Sequence, residues 1–283
     1  NIDHKPYKNP RIEYFKWNFK LFKKSDLIFL NKAKVIINCV GKTDNKEDFE
    51  YINVLYIQKL LKFIVKYDFK IRLIHLSSVA VYGRILKNFG QNHIMTENSS
   101  INAKDLYSKS KLKGDLLIQN VKKKKLYKNF TYTILRVSNV VGGKKKSNLF
   151  KFIKFSLKFS FWIKCYDDII FNFINVKDVS LAVILCISNL NISKNKIYIV
   201  SDDYNQHQLY KSYENFYLEK IKKINLSINL IKFIINFLPL PKKVKNFIYI
   251  ISNRISYSNK KIKKELKFKP KYCFHKKIYL INE

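Results

Sequence analysis

The feature that most restricts the fold is the order in which two kinds of apolar pattern alternate along the chain. Nearly continuous apolar runs at Lys34–Cys39, Ile71–Leu76 and Tyr132–Leu135, with a later one at Lys196–Val200, are bounded by polar residues and read as buried parallel strands. Between the first two lies Phe49–Tyr67, where Ile52, Leu55, Tyr56, Lys59, Leu60 and Phe63 fall near helical spacing. A second helical pattern, Leu106–Val121, separates the next pair. Strand, helix, strand repeated in this way implies right-handed crossovers and a doubly wound parallel α/β sheet. Ligands in such sheets bind beyond the carboxyl ends of the strands, so chemistry is expected just after Cys39, Leu76 and Leu135.

Charge points elsewhere. The 283 residues carry a formal net charge of +36, from 56 Lys+Arg against 20 Asp+Glu, which is the balance of a nucleic-acid or anionic-membrane binder. Only five of those cations are arginine (Arg11, Arg72, Arg84, Arg136, Arg254), alanine occurs four times, and lysines are spread along the whole chain. A reader of base edges spends arginine on bidentate contacts, so the charge reads as codon composition and supports no specific nucleic-acid partner. The run Lys122 to Lys125 reads as a solvated helix end. Cys39, Cys165, Cys186 and Cys273 show no metal-binding spacing and no disulfide framework, which predicts no metal site and a cytoplasmic, reducing environment. No stretch approaches the roughly 18 uninterrupted apolar residues of a transmembrane helix, since Ile228–Leu240 is broken by Lys232 and followed by Pro241.

All three strand ends are informative. Asn38-Cys39-Val40-Gly41 ends in a glycine that lets a ligand lie against the backbone. Leu76–Gly83 contains Ser77, Ser78 and Tyr82, and Arg136–Gly143 contains Ser138 and Asn139. Tyr107 and Lys111 lie four apart on the second helix and so share a face. An ammonium close to a phenol is expected to lower the tyrosine from its usual pKa near about 10 toward the range of a general base. With Ser78 donating to the reacting oxygen, the set could take a proton from an alcohol while hydride leaves the adjacent carbon. In a chain this rich in Lys and Tyr the spacing alone is weakly specific; its position in the fold gives it weight.

Taken together, Val35–Gly41, Asn53-Val54, His75–Gly83, Tyr107–Gly114, Leu135–Gly142, Phe173–Val179 and Lys261–Pro270 occur in the order of a known family. From about Arg11 to the C-terminus the chain resembles the extended short-chain dehydrogenases/reductases of the NAD-dependent epimerase/dehydratase group, which act on nucleotide sugars. The resemblance implies a Rossmann-like sheet over 1–143 and a smaller substrate-binding lobe over 144–283, with about 168–200 returning to the core sheet. It implies NAD as cofactor, with NADP left open, a UDP-hexose-like nucleotide sugar as substrate, and a homodimer formed through Phe49–Tyr67 and Leu106–Val121. Tyr107 takes the place of the catalytic base, Lys111 of its modulator and nicotinamide-ribose ligand, and Ser78 of the hydroxyl that polarises the reacting oxygen. Cys39, Val40, Gly41 and Ser138 would border the cofactor, as would Asn53, although Asn53, like Ser77, reads first as a structural hydrogen-bonder. Tyr82, Asn139 and Arg254 are expected at the substrate, Arg254 at its diphosphate because this chain keeps so few arginines. Arg136 reads either as an internal ion pair or as a ligand contact.

A sugar 4,6-dehydratase places an acidic pair where this chain has Val79 and Ala80, so a UDP-hexose 4-epimerase-like activity is the first expectation, with a nucleotide-sugar reductase or dehydrogenase second. Polysaccharide precursor synthesis is the setting the family implies. Two departures stand against a complete match. The six glycines (Gly41, Gly83, Gly90, Gly114, Gly142, Gly143) include no G-x-x-G-x-x-G turn, and aligning Arg11–Phe19 with the family's third strand predicts roughly 30 to 40 residues, one βαβ unit, upstream of Asn1. The same absence leaves open an inactive homologue without tight NAD binding. Asn18 replaces an expected aspartate near the adenine. Further on, Leu149–Lys164, with Lys151, Lys154 and Lys158 among aromatics, reads as a helix of the lobe, Phe171–Val176 as a strand, and Asp178 as the cap of a helix Val179–Ser188.

Overall fold

The computed structural model describes residues 32–42, 49–83, 93–123, 127–142, 161–164, 169–218, 220–227 and 254–272, with a few single positions between them. In chain order it runs β1 (Val35–Asn38), a π-helical turn (Tyr51–Leu55) leading into α1 (Tyr56–Lys66), β2 (Arg72–Ser78), a 3₁₀ turn (Val79–Tyr82), β3 (His93–Met95), α2 (Leu106–Lys123), β4 (Thr131–Val137) and β5 (Asn139–Val141). There follow β6 (Phe161–Lys164), β7 (Ile170–Asn175), α3 (Val176–Ser188), α4 (Leu190–Ser193), β8 (Lys196–Val200), β9 (Asp202–Asn205), α5 (Gln206–Tyr217), β10 (Lys222–Asn225), β11 (Ile255–Tyr257) and α6 (Lys260–Leu266).

The four strands expected from the sequence form one parallel sheet in the order β1-β2-β4-β8. Their unbroken apolar character follows from burial on both faces. On one face Leu73, Tyr132 and Ile134 meet Ile57, Leu60, Leu61 and Ile64 of α1 and Ile118 of α2. On the other, Ile74, Leu135, Tyr198 and Val200 meet Val179, Ala182, Val183 and Cys186 of α3 and Ile262, Leu266 and Phe268 from the C-terminal helix and its exit. Each such side chain withdraws from water at a gain of about 2 kcal/mol, which is why the alternation of strands and amphipathic helices dictates the layers.

The rest is built from small sheets. β7 lies between β5, parallel to it, and β9, antiparallel to it; β3 pairs with β11, and β6 with β10. The segment expected to return to the core sheet therefore divides: β8 enters it, while β7 belongs to the three-stranded sheet. Two local expectations are corrected. Asn175, not Asp178, caps α3 by accepting the Lys177 N–H, and α3 begins at Val176. Asp178 sits buried one turn in and accepts the backbone N–H groups of Lys271 and Tyr272, tying the C-terminal segment to α3. At the end of Leu149–Lys164, Phe161–Lys164 is a strand, with Trp162 fully buried and its indole N–H donating to Gln206; residues 149–157, Asn18, Arg84, Cys165 and Cys273 lie outside the described residues. Among the described residues no helix is long and apolar enough to cross a membrane.

Candidate active site

The carboxyl ends of β1, β2 and β4 converge as the topology requires. β2 ends at Ser78, whose extended backbone breaks into the 3₁₀ turn and whose Oγ accepts the Ala80 N–H at 3.1 Å. The turn closes at Gly83, with φ of +74°, where a Cβ would stand 2.0 Å from the Asn102 carbonyl oxygen. Only glycine fits there. The segment after it is held by the Asn102 N–H donating to Val81 O, and α2 then starts at a cap made by Asp105, which accepts from the Ser108 N–H and the Ser108 hydroxyl at 3.0 Å each.

That start places Tyr107 and Lys111 against the end of β2. The Tyr107 phenol stands near enough to Ser78 for that side chain to influence its ionisation, and its ring packs edge-on against Phe49 at 5.8 Å. Lys111 is 5% exposed and donates to the Leu76 carbonyl at 2.7 Å. Burial pulls its amine down to about 8, against the opposing pull of Asp115 and Cys39. Against the lowering expected from the sequence, burial raises Tyr107 above its ordinary value, Ser78 opposes that rise, and Asp105 adds to it. Ser78 is thus the group that favours the phenolate here.

Gly41 faces this pair. A Cβ there would lie 3.7 Å from Lys111 Nζ and 3.5 Å from Asn53 Oδ1, so the strand end, the lysine and the π-helical turn meet at one point. Asn53, buried, accepts the Lys42 N–H at 3.1 Å and donates to Ser110 Oγ at 2.9 Å; it braces the loop against α2. Cys39 is exposed beside it, its thiol raised by partial desolvation and pulled back by Lys111. Ser138, just past β4, is 7% exposed, and its Oγ has no hydrogen-bond partner among the described residues. A buried hydroxyl left unsatisfied costs stability unless a ligand completes it, which suits a polar cofactor group at this position.

The remaining candidates lie further out or further in. Asn139 is exposed on β5 and donates to the Asn172 carbonyl at 3.0 Å, while Asn172 Nδ2 donates to the Ile255 carbonyl at 2.9 Å. One β7 residue therefore joins Asn139 to the neighbour of Arg254 across more than a hundred residues of chain. Arg254 is half-buried, and its carbonyl accepts the His93 N–H. Tyr82 is 1% exposed, with its hydroxyl accepting from Arg136 Nη1 at 2.9 Å. Arg136 resolves as the internal ion pair: its Nε meets Asp115 Oδ2 at 3.1 Å, both side chains buried. Asp115 and His75, the latter 3.9 Å from Asp115 Oδ1, were not singled out from the sequence, although Asp115 follows Lys111 by one helical turn and so shares its face. Burial raises the Asp115 carboxyl, with Arg136, Ser77 and Lys111 opposing.

No curated protein sequence matches the chain. Among solved structures, a UDP-glucuronic acid 4-epimerase from Bacillus cereus in complex with NAD superposes with a TM-score of 0.68 at 15% identity, covering 95% of this chain and 78% of that one. A dTDP-glucose 4,6-dehydratase from Bacillus anthracis in complex with NAD gives 0.61 at 18% identity over 89% and 72%. RMD from Pseudomonas aeruginosa complexed with NADPH gives 0.60 at 16% identity over 88% and 80%. At these identities the likeness is one of fold. The model of the NAD dependent epimerase/dehydratase family matches residues 16–201, which hold the sheet, Ser78, Tyr107 and Lys111, and the chain belongs to that family.

Proposed function

We propose that the protein is an NAD-dependent nucleotide-sugar 4-epimerase acting on a UDP-hexose, with Tyr107 as the proton-transferring group. The observation that supports this is the buried Lys111 amine, donating to Leu76 O beside Gly41, on the helix face that also carries Tyr107 next to Ser78 at the carboxyl end of β2. The nicotinamide side of the cofactor fits the residues present: Cys39, Val40 and Gly41 would border it, Lys111 would hold its ribose, and the unsatisfied Ser138 hydroxyl would meet a polar group of it. Bound there, NAD would accept the hydride of the sugar carbon and, once reduced, would give it back to the opposite face of the ketone. Tyr107 takes the proton of the sugar hydroxyl, Ser78 holds the oxygen in place through the change from alcohol to ketone, and Tyr107 returns the proton once the sugar presents its other face. Asn139, tied through Asn172 to Ile255, and Arg254, which precedes Ile255, would bind the sugar and its diphosphate. Val79 and Ala80 stand at the positions where the resemblance puts the acidic pair of a dehydratase, which disfavours dehydration by that route. We further propose a homodimer through the outer faces of α1 and α2, where Leu106 and Leu116 are exposed.

The test is interconversion of a UDP-hexose at C4, followed by NMR with added NAD. Tyr107→Phe is expected to lower turnover by about 100-fold or more, the usual worth of positioned acid–base catalysis. Unchanged turnover would overturn the assignment, and net reduction of a keto sugar without C4 inversion would replace the epimerase by a reductase.

A further inference from the structure

His75 takes no part in the proton transfer proposed above, yet it is fully buried between the strand ends and α2. It lies on β2 in register with Asn38 of β1, so the two side chains leave neighbouring strands on the same side of the sheet. Their contact has one consistent proton arrangement. Asn38 Oδ1 accepts the Val40 N–H at 3.0 Å, so the atom that meets His75 Nδ1 at 3.0 Å is the Nδ2 donor. Nδ1 is then the acceptor nitrogen, and the ring proton sits on Nε2, 3.9 Å from Asp115 Oδ1. Burial, aided by the Lys111 ammonium, pushes the ring well below its usual pKa and keeps it neutral. Gly114 lets α2 close on the π-helical turn and α1 beside the ring, since a Cβ there would stand 3.1 Å from the Asn53 carbonyl and 2.9 Å from Ile57 Cδ1, with His75 Nε2 in ordinary contact at 3.7 Å.

From this geometry we infer that His75 is a positioning residue for the cofactor edge: its Nδ1 orients the Asn38 amide, whose oxygen holds the Val40 N–H and with it the Cys39–Gly41 turn beside Lys111. Without that acceptor the 2%-exposed Asn38 amide has an unsatisfied donor and no reason to keep its oxygen toward Val40. The inference rests on the proposed function only for what the turn borders. The hydrogen-bond chain itself is a property of the unliganded protein.

Three variants separate the parts of the ring. His75→Asn puts a carbonyl oxygen near the place of Nδ1, His75→Gln reaches instead toward Nε2, and His75→Leu removes both. In the unliganded full chain, hydrogen exchange of the Val40 amide is expected to stay slow in wild type and His75→Asn and to quicken about tenfold or more in His75→Gln and His75→Leu, as loss of a buried hydrogen bond implies. The Kd for NAD, by calorimetry, is expected to rise about tenfold in the same two variants, with kcat at saturating NAD changed less than about threefold. Val40 exchange as slow in His75→Leu as in wild type would overturn the inference, and so would His75→Asn exchanging as fast as His75→Gln. If His75→Leu does not fold, the contrast of Asn with Gln decides. If wild type binds no NAD, the proposed function falls while Val40 exchange still decides the role of His75.

Discussion

At the scale of single residues the site is a set of groups held in costly states. Lys111 is the clearest case: its amine is buried, and desolvation brings it down to about 8 from 10.5. A cation whose folded-state pKa is depressed weakens the fold wherever it is charged, so the penalty is full below pH 8 and disappears as pH rises toward 10.5. Lys111→Met is therefore expected to stabilise the protein at pH 7 by up to about 3 kcal/mol, with the gain shrinking to nothing by the unfolded pKa, while removing the proposed activity. Urea unfolding of both forms at pH 7 and pH 10 measures it; a variant less stable than wild type at pH 7 would show that the hydrogen bond to Leu76 outweighs desolvation. The neighbouring Asp115–Arg136 pair is the opposite kind of feature. It is buried, compensated charge by charge, and its value lies in fixing α2 against β4 and the 3₁₀ turn rather than in net stability.

At the scale of elements, each catalytic candidate is delivered by a terminus. β2 stops at Ser78 because the 3₁₀ turn follows, and the turn closes at Gly83, whose positive φ and contact with the Asn102 carbonyl leave no room for a side chain. Gly83→Ala forces a side chain to positive φ and into the Asn102 carbonyl, and is expected to cost at least about 2 kcal/mol and to shift Ser78 away from Tyr107. Thermal unfolding with a parallel turnover assay checks both consequences; a variant with wild-type Tm and turnover would show that the turn closes some other way. The helix starts follow the same logic. Asp105 and Asn175 cap α2 and α3 by accepting backbone N–H groups, whereas Asp178 looked like a cap in sequence and serves a segment ninety residues away. Side-chain type marks a cap; only packing says which of two nearby acceptors is free to make it.

At the scale of the whole molecule, the small sheets are joined to each other around Asp203. Its carboxylate accepts from the Ser201 hydroxyl and the Tyr257 N–H, and so links β9 to β11, the strand that follows Arg254. Burial raises its pKa to about 6 despite those bonds and one from Asn172. An acid raised in the folded state contributes stability that is present below its unfolded pKa near 3.8 and is lost as pH rises through 6. Between pH 4 and pH 7 this site is expected to remove up to about 3 kcal/mol, and Asp203→Asn to flatten that part of the profile; parallel wild-type and variant slopes in urea unfolding would refute it. The four parallel strands, the helices laid against them, Ser78 at the end of the second strand and the shared helix of Tyr107 and Lys111 were legible in the amino-acid sequence, because apolar periodicity and chain alternation are local properties that leave few topologies; the strand order was not. The direction of the Tyr107 shift, the pairing of Arg136 with Asp115, the buried His75 and the true cap of α3 were not. Each depends on which groups from distant segments share a dry interior, where burial outweighs a neighbouring charge and an acceptor can be claimed by a donor from anywhere in the chain; that is decided when the layers close and is not written at any one position.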